Sequence, residues 1–100
     1  MTLDELLQAA KLRVRKKSKD SLDDDIKQLA NAAKADLSRL GVHSSYLEEP
    51  DDPLIVEAIL TYVRAKFSMD DNYDRHMASY KMLQADIKTS GKYKQEKADS

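Results

Sequence analysis

The stretch DDNYD at residues 70 to 74 carries the residue types of a calcium loop. Asp70, Asn72 and Asp74 stand at its first, third and fifth positions, where hard oxygen ligands are needed. The pattern then breaks. Arg75 occupies the place of the obligatory glycine, and Lys81 that of the bidentate glutamate. Carboxylates in this run are better read as helix caps, drawn to the free N–H groups and positive dipole end of a starting helix.

No other cluster supports catalysis or metal binding. His43 and His76 lack a second His or Cys at ligand spacing, and the chain has no cysteine. His76 is read as an edge-of-core residue. No glycine-rich phosphate loop and no serine nucleophile with a legible base partner is present. The expectation is a non-enzyme with no catalytic residues, no cofactor and no metal. KLRVRKKSK, residues 11 to 19, suggests nucleic acid, with Arg13, Arg15, Lys16 and Lys17 as DNA-proximal candidates. On a helix these cations scatter around the axis, and no aromatic interleaves them, so gathering at a helix C-terminus is the plainer account. Asp36 lies about 40° from Leu22 and Leu40 on a helical wheel. As the acid closest to an apolar stripe, it is expected to pair with a cation or a backbone N–H at the core boundary.

Four helical segments must position these residues. Thr2 and Glu5 have capping-box spacing, and Leu3, Leu6, Leu7, Ala10 and Val14 share a face, which predicts a first helix ending near residue 16. Ser21, with Asp23, Asp24 and Asp25 behind it, starts a second, with Leu22, Ile26, Leu29, Ala33, Leu37 and Leu40 on one face and Gly41 as a left-handed C-cap. Residues 42 to 51 have no helical period and read as an ordered loop pinned by Val42, Tyr46 and Leu47. Pro53 opens a third helix running to Phe67. A fourth begins near Asp70 or Asp71, presents Tyr73, Met77, Tyr80, Leu83 and Ile87, with His76 beside them, and ends near Ser90 and Gly91. The polar KYKQEKADS that follows is predicted to be disordered.

The third helix is apolar on two sides. Leu54, Ile55, Ala58, Ile59, Tyr62 and Ala65 take one; Val56, Leu60, Val63 and Phe67 take the other, leaving Glu57, Thr61 and Arg64 for water. Either it is the central helix of a bundle, or the second side, Val56, Leu60, Val63 and Phe67, meets another subunit.

Composition agrees with an all-α, small four-helix bundle-like domain with a flexible C-terminal tail. Charged residues make 35% and hydrophobic residues 41% of the 100, with two glycines and two prolines. Lys and Arg number 17 against 18 Asp and Glu, so no net field draws the whole molecule to nucleic acid or an anionic membrane. No segment reaches the roughly 20 apolar residues of a membrane span, and the start does not read as a signal peptide.

In combined order, LRV at 12 to 14, SLDDDIKQLANAAKADLSRLGV at 21 to 42, DPLIVEAILTYVRAKF at 52 to 67 and a tyrosine-containing helix leading into SGKY at 90 to 93 resemble the small head-to-tail connector (adaptor) proteins of tailed bacteriophages and prophages. The resemblance implies a structural subunit that forms a ring, usually of about twelve, between the portal and the stopper or tail-completion proteins. DNA would pass transiently and non-specifically through its channel. It implies residence in the virion at the head-tail interface, and in host cytoplasm during assembly. Residues 1–90 would form the connector domain and 91–100 its tail, with Lys88, Lys92, Tyr93 and Lys94 as portal-docking residues. Ser68 stands where such proteins commonly have glycine, and RKKSK is more basic than usual. The rival expectation is a small helical DNA-binding protein using the basic segment from Lys11 to Lys19.

Overall fold

The computed structural model describes residues 5, 8, 9, 20–68 and 73–96; side chains of 20–24 and of Phe67 and Ser68 lie outside the description. Among the described residues, three α-helices carry the fold: α1 (Asp20–Leu40), α2 (Pro53–Ser68) and α3 (Tyr73–Ser90). Single 3-10 turns occupy Ser44–Tyr46 and Lys92–Lys94. Among the described residues the fold is all-helical, without strands. Of the expected first helix, Glu5, Gln8 and Ala9 are helical, and Ala9 packs against the core; its remaining residues fall outside the description.

Helix α1 follows its sequence pattern. Ile26, Ala33 and Leu37 are buried, Leu29 and Leu40 half-buried, and Ala30 joins them one residue off the expected stripe. The helix stops in a Schellman motif. Gly41 N–H donates to the Ser38 carbonyl at 3.0 Å and Val42 N–H to the Leu37 carbonyl at 3.1 Å. Gly41 takes φ 110°, the left-handed backbone that only glycine enters without Cβ strain. Val42 and Leu37 both belong to the core, as the hydrophobic contact of this motif requires.

The loop after it is ordered as its anchors predict. Val42, Tyr46 and Leu47 are all buried, and Pro50 is fully enclosed. His43 begins the 3-10 turn: its Nδ1 accepts from the Ser45 N–H at 3.1 Å and lies 2.9 Å from the Ser45 hydroxyl. This histidine is a local cap.

Helix α2 is central. It packs most extensively on α3 and then on α1, while α1 and α3 touch each other little. Ala58, Ile59, Leu60 and Thr61 are buried in succession, which on a helix means cover on every side. Leu60 and Val63, expected as candidates for a subunit contact, are 4% and 0% exposed within the single chain. Thr61, expected to face water, is also buried.

Helix α3 buries Tyr80 and Ile87 against α2, with Tyr73, His76, Met77 and Leu83 half-buried; the start expected at Asp70 or Asp71 lies outside the described residues. No helix among the described residues is long and apolar enough to cross a membrane.

Candidate functional site

Three helix termini lie together at one end, as the bonds of Tyr93 to Asp52 and His43 require: the C-terminus of α1, the N-terminus of α2 and the C-terminus of α3. Asp52 sits between them. Just before Pro53, it is the N-cap of α2. Its Oδ1 accepts from the N–H groups of Leu54 at 3.0 Å and Ile55 at 3.4 Å, while its carbonyl takes the Val56 N–H at 2.9 Å. The same carboxylate holds the chain's C-terminal segment. Tyr93 donates its hydroxyl to Oδ1 at 2.8 Å, and Lys92 Nζ lies 3.1 Å from Oδ2. Burial pushes the Asp52 carboxyl up, but the bonds from Tyr93, Lys92, Ile55 and Leu54 outweigh it, holding its pKa below the usual value. Burial and the Asp52 carboxylate together push the Tyr93 hydroxyl up. It therefore stays protonated and donates.

Residues 91–96 thus form a strap across that end. Gly91 turns the chain out of α3 with φ 75°. Tyr93 is 4% exposed. Its ring meets Tyr46 edge-on at a centroid separation of 5.0 Å, and its carbonyl accepts the His43 N–H at 2.6 Å. The disorder expected of KYKQEKADS does not hold for residues 92–96. A single aromatic residue finding a preformed pocket offsets the ordering cost that polar composition alone could not. Residues 97–100 lie outside the description.

A second polar cluster lines an open groove between the helices. Asp36 on α1 accepts from the Tyr80 hydroxyl at 2.7 Å and from Gln84 Nε2 at 2.8 Å, both through Oδ2. Its expected partner was a cation or a backbone N–H. The structure instead supplies two neutral donors four residues apart, and hence on one face, of α3. Arg39, Lys66 and Lys81 line the same groove. Tyr80 also packs edge-on against Tyr62 at 5.2 Å, and Lys66 Nζ lies 5.4 Å from the Tyr62 ring centre and 5.6 Å from that of Tyr73. Burial, with the bonded and charged Asp36 beside it, pushes the Tyr80 hydroxyl far up. Asp36, Tyr80, Gln84 and Lys66 thus join one helix to another.

The sequence-predicted residues scatter relative to these clusters. Lys92 and Tyr93 meet at Asp52. Lys94 is exposed on the strap, the position of a Gly41 Cβ falling 4.0 Å from its Cγ, and Lys88 is exposed in the last turn of α3. Val56 is half-buried, and the Phe67 side chain is outside the description. Arg13, Arg15, Lys16 and Lys17, with the rest of the basic segment, also fall outside the described residues, as do Asp70 and Asn72. Asp74 is exposed in the first turn of α3. No three His, Asp or Glu side chains among the described residues gather as metal ligands. Sequence reasoning missed Asp52, although an Asp immediately before a helix-opening proline is a legible N-cap signal.

Helices joined by structural polar bonds, with a strapped end, define a small helical packing module. The phage connector protein family matches residues 6–94, nearly the whole chain, and the protein belongs to that family. It is thereby a structural component of the bacteriophage head-tail connection. No curated protein and no solved structure matches the chain.

Proposed function

We propose that the protein is the subunit of a ring of about twelve copies that sits between the portal and the stopper or tail-completion proteins and continues the DNA exit channel. The family match over residues 6–94 carries this reading. Its action is geometric. The ring turns the portal's end into a landing surface for the next component. A cyclic assembly needs two different patches on each subunit, one meeting the other on the next chain. Met82, 70% exposed on α3, and the uncovered part of Val56 on α2 supply apolar surface on two separate helices. The strap, with Lys88, Lys92, Tyr93 and Lys94, is the portal-docking element. Near-zero net charge suits a conduit that must let DNA slide, since a strongly cationic wall would hold phosphates.

Deleting the gene from the parent phage and viewing the lysate by electron microscopy tests the role. Separate heads and tails, with heads that have lost DNA, are expected. Normal joined virions would overturn it. Purified protein mixed with portal should add a ring-shaped layer to the portal in images, and absence of that layer would remove the ring.

A further inference from the structure

The strap is held by contacts that can all be broken without unwinding a helix. They are the Asp52 bonds to Tyr93 and Lys92, the edge-on ring contact with Tyr46, and the bond from His43 N–H to the Tyr93 carbonyl. The joint to α3 is Gly91, in the left-handed region, with nothing within 4 Å of where a side chain would be. That is a hinge. Departure of the strap leaves Asp52 still bonded to the N–H groups of Leu54 and Ile55, so the carboxylate is not orphaned and α2 stays capped. Ile59, Val63 and Tyr80 belong to the same core but make none of these contacts. Such a unit opens locally, at lower cost than global unfolding.

The closed strap also hides Tyr93, one of the residues assigned above to portal docking. One ring cannot fill two pockets. We propose that residues 91–96 are a latch: closed on Asp52 and Tyr46 in the free subunit, they open about Gly91 to give Tyr93 to the portal, so that docking competes with self-contact. This rests on the docking role assigned above and adds its regulation. Portal affinity is then reduced by the fraction of time the latch is open, and anything that loosens the latch raises it.

The test uses Asp52→Asn, a change on the body and not on the strap. Asn caps a helix as well as Asp does, but it removes the charge that attracts Lys92, which should raise the open fraction roughly two- to five-fold. Two readouts must move together. Hydrogen exchange at the His43 amide, whose acceptor is the Tyr93 carbonyl, should run faster than at the Val63 amide, and in Asp52→Asn rise roughly two- to five-fold while staying faster than Val63. Binding of full-length Asp52→Asn protein to portal rings should tighten by the same factor. A latch is overturned if His43 and Val63 exchange at one common rate, or if Asp52→Asn binds portal equally or more weakly. A chain ending at residue 91 checks the reading beneath. Undiminished portal binding by that chain would overturn the docking role itself, whereas lost binding together with unimproved Asp52→Asn would overturn the latch alone.

Discussion

Asp52 and Asp36 are each bonded to tyrosine, yet they respond differently to change. Asp36 receives two side-chain donors from α3, and one of them, Tyr80, is 1% exposed. Asp36→Ala leaves a buried hydroxyl without its acceptor and should cost about 1–3 kcal/mol in urea unfolding, whereas Tyr80→Phe, which removes a donor from a half-exposed acid, should cost about 0.5–1.5 kcal/mol. Asp52 adds a pH dependence. Its carboxyl lies below the ordinary value in the folded chain, so its contribution is fully present above the unfolded pKa of about 3.9 and is lost as pH falls through the lower folded value. Tyrosine near-UV circular dichroism followed in acid should therefore show the Tyr46–Tyr93 signal weakening below about pH 4. In Asp52→Asn that component should be flat.

At the scale of elements, helix α1 and its cap illustrate how local chemistry fixes a boundary. Gly41 at φ 110° closes both Schellman bonds. Gly41→Ala should cost roughly 1–2 kcal/mol, measured by thermal or urea unfolding, because a Cβ is strained in that region. One turn earlier, Leu37 is wholly buried, and Leu37→Asp places an unpaired charge in the core. Loss of a cooperative melt is expected; a near-native melt would contradict the packing of α1 on α2. Helix α2 shows the opposite relation between pattern and place. Its two apolar sides gave no single direction to face, because its middle, residues 58–61, is covered all round.

For the whole molecule, the strap changes what truncation should do. A chain ending at residue 91 loses a buried tyrosine, which should lower stability by roughly 2 kcal/mol while leaving helical circular dichroism largely intact. An unchanged melt would mean that Tyr93 does not hold the end closed in solution. The overall charge predicts weak binding to free duplex DNA at physiological salt. Neutralising Arg13, Arg15, Lys16 and Lys17 should leave portal binding unaltered, as measured by co-sedimentation with portal rings. Tight duplex affinity falling steeply with salt, and abolished by those changes, would instead favour a DNA-binding role.

The sequence by itself determined the helical class, the course and C-cap of α1, the anchors of the 42–51 loop, the Pro53 start of α2 and the inward face of α3. Each is a local signal: a 3.6-residue period, a glycine that accepts positive φ, a proline that fits a first turn. The family was legible too, in the order of several segments along residues 6–94. Only the tertiary structure decided that Leu60, Thr61 and Val63 are internal, that Asp36 takes Tyr80 and Gln84, and that Asp52 gathers Tyr93 and Lys92. Those pairings join residues 41 to 48 positions apart for the two tyrosines and the glutamine. They depend on which helix ends converge in space, and no local period records that.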